Sequence, residues 1–340
     1  MYDLSSLAAG SILLSLILYV LLGGADFGGG VWDLLCRGPR GPAQRLLIAH
    51  AIGPIWETNH IWIVVAVVIL FTGFPQAFAL ISTALFVPVT LMLAGIVLRG
   101  AAFAFHSYHL HDEGGRKNLW GAVFAGASLL TPVLLGVVIG AVSTGDIHAQ
   151  ETFRVGASLA WLSPFPFSVG FLALAIFSYL ASVYLILETE DPVLREDFRL
   201  RALYSSVVVV VLMLIVPLLA RREARDFYHA LLGNDWSAGL VFLTATATLG
   251  AHVSLLLRSY PVARICAAAQ AALILGGWGA AQYPFLVRPD LTIPAAASSP
   301  AALRLILIAL AAGGLFLFPA IFLLFWIFKK DVVFKRSRKS

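Results

Sequence analysis

Apolar runs long enough to cross a bilayer recur nine times along this chain, and nothing constrains its fold more. With about 20 residues needed per crossing, the runs fall near 5–34, 46–73, 77–98, 118–142, 158–187, 200–219, 237–257, 262–283 and 303–328. Hydrophobic residues make up 60% of the 340 and charged ones only 12%, where a soluble domain runs near half and a quarter. The expected fold is an all-α integral membrane bundle of about nine transmembrane helices. Residues 1–340 read as one polytopic membrane domain, with 329–340 as a basic tail. The first run reads as a retained span, and the lipid membrane itself is the first expected partner. Pro54, Pro88, Pro132, Pro217 and Pro319 fall in or near spans, which a bundle tolerates when neighbours satisfy the freed carbonyls.

Charge sets the expected orientation. With the N-terminus outside, the inner segments hold 17 of the 23 Lys and Arg, six of them in the tail from Lys329 to Lys339. The positive-inside rule then favours an outer N-terminus and a cytoplasmic C-terminus. Arg221, Arg222 and Arg225 argue against this locally. The net charge of +5 is spread over short loops and the tail, so it is no nucleic-acid signature. Cys36 and Cys266 stand far apart, without a CxxC or a haem-attachment motif. Gly28-Gly29-Gly30 lacks the Lys-Ser/Thr of a nucleotide-binding loop. No inverted repeat of the kind many transporters carry is evident.

Within this apolar background, residues 50–62 are the polar exception. Trp56, Glu57, Asn59, His60 and Trp62 crowd into the start of a span, where a carboxylate costs about 2.5–3.5 kcal/mol and should face protein or water. On a helix Trp56, Glu57 and His60 share a face, a plausible proton-handling group. A belt of interfacial tryptophans with a snorkelling acid fits the same residues. The first span ends in Gly23-Gly24-Ala25-Asp26-Phe27-Gly28-Gly29-Gly30, whose glycines permit close helix contact. Asp26 and Glu57 fall about 14 and 16 Å from their span ends, at similar depth if the spans are antiparallel neighbours. That suits a proton relay, although Asp is also a favoured cap for a broken helix.

Other polar groups read more plainly. Arg99 closes the third run; pairing with a carboxylate or with a partner's acidic group is one reading, and a snorkelling boundary arginine is the default. His106, His109 and His111 with Asp112 and Glu113 match no recognised metal spacing and are expected in a solvated loop. No metal site is expected in this chain. His60 and His252 are the histidines best placed for axial haem ligation, yet both read better as hydrogen-bonded intramembrane groups. In Gly277-Trp278-Gly279-Ala280-Ala281-Gln282-Tyr283-Pro284 small residues favour packing, then Gln282 and Tyr283 mark the interface and Pro284 stops the helix.

Together these stretches resemble subunit II of the cytochrome bd-type quinol oxidases, including the cyanide-insensitive ones. The carriers are the Gly23–Gly30 block, Gly53-Pro54-Ile55-Trp56-Glu57-Thr58-Asn59-His60-Ile61-Trp62, Leu98-Arg99-Gly100-Ala101-Ala102-Phe103, and the Gly277–Pro284 block with its Pro-Asp-Leu-Thr-Ile continuation. The resemblance implies a heterodimer in the bacterial inner membrane whose partner, subunit I, binds haem b and haem d and oxidises quinol. O2 is then reduced to water. By the same resemblance this chain ligates no haem, and Glu57 with Trp56, Asp26 and His60 forms or supports a proton path. Asn59, Trp62, Arg99, Trp278, Gln282, Tyr283 and Pro284 are structural or partner-facing. A bound quinone and small accessory subunits stay open. The chain departs from the family at Gly23 and at Ala104-Phe105-His106, where some members carry further acids. The alternative is a proton-coupled secondary transporter using Asp26, Glu57 and Arg99.

Overall fold

The computed structural model describes residues 3–52, 56–108 and 116–337. Within those ranges the side chains of residues 52, 56–57, 106–108, 116–118, 321–322 and 324–337 lie outside the described set. Sixteen helices follow in order: α1 Leu4–Leu22, α2 Gly24–Leu34, α3 Gly41–Ile52, α4 Trp56–Asn59, α5 Ile61–Gly73, α6 Pro75–Ala84, α7 Phe86–Tyr108 and α8 Arg116–Thr144, then α9 Ala149–Val155, α10 Pro164–Leu187, α11 Pro192–Glu223, α12 Arg225–Leu232, α13 Asp235–Leu256, α14 Tyr260–Gln282, α15 Ile293–Ala296 and α16 Pro300–Ser337. A small antiparallel hairpin, β1 Phe285–Val287 and β2 Leu291–Thr292, sits between α14 and α15. Among the described residues eight segments are long and apolar enough to cross a membrane, and nine if the bent pair α5–α6 counts as one. In hydrocarbon every backbone group needs an internal partner, and the helix satisfies them all within one segment.

Helix starts follow ordinary rules. Proline occupies the first turn of α6, α10, α11, α14 and α15, where its missing N–H removes no intrahelical bond. Asp191 caps α11 by accepting from the Val193 amide at 2.8 Å, and Asn234 closes a capping box on α13.

Helix α10 is the hub, packing on α2, α8, α11 and α14. Of its span 67% is buried within the chain, against 6% for the spanning part of α16. Small residues permit the approach. A Cβ on Gly28 would lie 2.0 Å from the Phe177 carbonyl oxygen, and one on Gly136 would lie 2.6 Å from Gly170 Cα. Contacts at the helix ends sort the loops into two groups. At one end Arg40 of the α2–α3 loop pairs with Asp197 of α11, and Arg199 reaches the Leu255 carbonyl. At the other, the Ser158 amide bonds Ala84, Ser298 bonds Thr72 and Gly73, and the Phe165 amide donates to Glu223.

One boundary expectation needs correction. The sequence reading placed single spans at 46–73 and 77–98. The break between the two stands, at Phe74, where α6 turns away from α5 by 114°; but Leu85 then divides 77–98, and the next span starts at Phe86. Phe74 (φ −139°, ψ 59°) and Leu85 (φ −108°, ψ 31°) leave the helical region, and Pro75 restarts the chain in a new direction. The break at Leu85 lies inside the apolar run 77–98, and hydropathy does not reveal it because it is the same on either side.

A buried polar cluster between α2, α4 and α7

Gly23 joins α1 to α2, and three residues later Asp26 sits in the first turn of α2, only 3% exposed. The capping position belongs to Gly23, not to Asp26. Asn59, at the end of α4 and also buried, donates from Nδ2 to Asp26 Oδ2 at 2.9 Å. The same amide nitrogen lies 3.3 Å from the Leu22 carbonyl, at the α1–α2 joint. Asn59 therefore ties the acid and the helix break to the segment that carries Glu57.

The structure corrects the reading of Arg99 as a boundary group. It is 2% exposed, and α7 continues past it to Tyr108. Nη2 donates to the Asp26 backbone carbonyl at 2.7 Å, and Nε donates to Ser128 Oγ of α8 at 3.3 Å. The guanidinium carbon lies 4.5 Å from the ring centroid of Phe27 and 5.1 Å from that of Phe124. Two aromatic faces, two acceptors and a nearby acid thus surround a charge that hydrocarbon alone would reject.

His60 adjoins this cluster. Its Nδ1 is 3.4 Å from Tyr19 Oη, and its ring meets Phe27 edge-on at 5.6 Å. Trp62 is buried, stacks at a tilt on Phe318 (5.9 Å), and its Nε1 finds no acceptor among the described residues. Trp56 and Glu57 belong to α4 by backbone, but their side chains lie outside the described residues. So do those of His106, His109, His111, Asp112 and Glu113.

Among the described residues no three His, Cys, Asp or Glu side chains converge as a metal site would require. His252 Nδ1 meets Ser206 Oγ at 3.1 Å. His60 and His252 thus each spend one ring nitrogen on a hydroxyl.

The later block forms a second ordered region, at the other end of the bundle. Trp278 Nε1 donates to Ser143 Oγ at 3.0 Å, and Gln282 Nε2 to the Val142 carbonyl at 3.2 Å. Tyr283 is exposed, and the Pro284 carbonyl accepts from the Ile293 amide at 2.8 Å. Arg288, which the sequence reading passed over, is buried here. Its guanidinium donates to the Ala281 carbonyl and lies 4.9 Å from the Phe285 ring. Burial pushes it below the usual arginine value, and the charge of Asp226 opposes that push. The cluster around Asp26 contains further residues that sequence reasoning missed: Tyr19, Ser128, Phe27 and Phe124. Ser128 and Thr131 were the available signal, as hydroxyls inside an otherwise apolar run.

The family model for cytochrome bd terminal oxidase subunit II matches residues 4–328. The chain is 24% identical over 340 aligned positions to a putative cytochrome bd menaquinol oxidase subunit II of Bacillus subtilis (strain 168), covering 95% of this chain and 94% of that one. It is 26% identical over 179 positions to cytochrome bd-I ubiquinol oxidase subunit 2 of Escherichia coli (strain K12), covering 51% of this chain and 46% of that one. The structure of bd oxidase from Geobacillus thermodenitrificans shares the fold, with a TM-score of 0.75 over 96% of this chain and 99% of that one at 21% identity. An all-α multi-pass membrane chain matched along nearly its whole length in this way belongs to the cytochrome bd terminal oxidase subunit II family.

Proposed function

We propose that this chain is the non-haem subunit of a bd-type quinol oxidase, active only together with a haem-bearing subunit I. Haem b and haem d belong to that partner, which oxidises quinol and passes electrons to O2. The complex sits in the bacterial inner membrane, with the N-terminus of this chain outside and its basic tail in the cytoplasm. Within it, this subunit supports the partner and leads protons inward by way of Glu57 and Asp26.

The observation that carries the proton reading is the Asn59 Nδ2 to Asp26 Oδ2 hydrogen bond of 2.9 Å. It brings a buried acid from the first span against the α4 turn, two residues from Glu57. An acid so deep in an apolar bundle is expensive unless it is used or well paired. Arg99 supplies charge balance while bonding the Asp26 backbone rather than occupying the carboxylate oxygen that Asn59 contacts. His60, bonded to Tyr19, completes a line of groups able to exchange protons. Family membership favours this reading over a carrier using Asp26, Glu57 and Arg99.

The test is the variant Glu57→Ala in the purified complex. It should slow O2 reduction by on the order of a hundredfold, the lower range of a positioned proton-transfer group, with haem content unchanged. Loss of haem in step with activity would sink the proton role and leave this subunit a scaffold.

A further inference from the structure

A cavity of about 830 Å³ opens between α8, α10, α11, α12, α13 and α14, within the size range of ligand sites. Its wall is almost wholly apolar. On α11 the lining residues Val207, Val210, Val211, Leu214, Pro217 and Leu218 follow helical spacing. The next positions on that face, three and four residues beyond Leu218, are Arg221 and Arg222. Helix α12 starts with Arg225 and turns Phe227 and Leu231 into the same cavity. All three arginines are exposed, and among the described residues no carboxylate forms an ion pair with them. The neighbouring Glu223 accepts from the Phe165 amide instead. From Arg221 to Val207 the face runs about 21 Å at 1.5 Å per residue. The part of that face that lines the cavity, Leu218 to Val207, runs about 17 Å, close to the roughly 15 Å depth of one leaflet of hydrocarbon.

The deep end offers little polarity. Thr244 and Thr248 donate to carbonyls of their own helix, and His252 meets Ser206. We propose that this cavity and the arginines at its mouth bind one anionic phospholipid, acyl chains inside and phosphate on Arg221, Arg222 and Arg225. Charge complementarity selects the occupant: a neutral amphiphile gives the triplet nothing to bind. The assignment also accounts for three basic residues at the end of the bundle that charge distribution makes the outer one, since a resident anion offsets them.

The experiment is lipid extraction and mass spectrometry on the complex purified from membranes and washed in mild detergent. The unaltered complex should retain anionic phospholipid. R221Q/R222Q/R225Q should bind it about a hundredfold more weakly, three surface charges' worth, while R221K/R222K/R225K should keep it. Ala173→Phe, which fills the cavity wall, should expel it by volume alone and decides the matter if the glutamine variant does not accumulate. Undiminished retention in the glutamine variant, or in Ala173→Phe, would overturn the proposal. So would extraction of a neutral isoprenoid in place of phospholipid, or displacement of the bound anion by excess inorganic phosphate.

Discussion

Asn59 is a small neutral residue with an outsized position, because one amide group serves both an acid and a helix break. Replacing it with alanine leaves Asp26 Oδ2 buried without that donor, a loss of about 1–3 kcal/mol. Asn59→Ala should therefore shorten the half-life of the detergent-solubilised complex at elevated temperature. Ser128→Ala, losing only a 3.3 Å contact to Arg99, should cost less in the same assay. Arg99→Lys is not conservative here, since an ammonium cannot reach carbonyl, hydroxyl and two ring faces at once. It should destabilise more than Ser128→Ala, and equal half-lives would contradict this account. The sequence alone showed the polar types but not this arrangement. Arg99 lay at the edge of an apolar run and read as a boundary group, whereas α7 extends nine residues further. Weakly apolar residues such as Ala101, Ala102 and Ala104 conceal that continuation from hydropathy.

At the level of elements, the glycine block of α2 was legible as a close-contact surface, and the structure names what it touches. Gly28 faces the Phe177 backbone and Gly30 faces Ser128 Oγ, where a Cβ would come within 2.1 Å. Gly28→Ala must therefore push α2 from α10 and should abolish accumulation of the folded subunit. Gly126 has open space around its Cβ position, so Gly126→Ala should raise stability by about 0.5–1 kcal/mol through helix propensity. The abundance of the first variant in membranes and the thermal midpoint of the second, each against the unaltered complex, check the contrast. The boundary between α5 and α6 was legible, but the break between α6 and α7 was not, because Leu85 carries no breaker signature of its own. Pro75 marked the first boundary, not the second.

For the molecule as a whole, the number of crossings followed from hydropathy, and the two groups of loops agree with the alternation it implies. Orientation rests on charge. Single cysteines at Arg37 and Arg154, in a background lacking Cys36 and Cys266, should differ in intact cells. A membrane-impermeant thiol reagent should label position 154 and spare position 37, and the reverse pattern would invert the topology. The buried arginine bears on how such a bundle is made. Chains enter the bilayer from the N-terminus onward, so Asp26 and Asn59 are already inserted when Arg99 emerges, while Ser128 is still to come. The first acceptor for that guanidinium is thus waiting in the membrane before the charge arrives. Placing the acid early and the arginine late lets the ribosome's own timetable act as a chaperone for the costliest residue in the span.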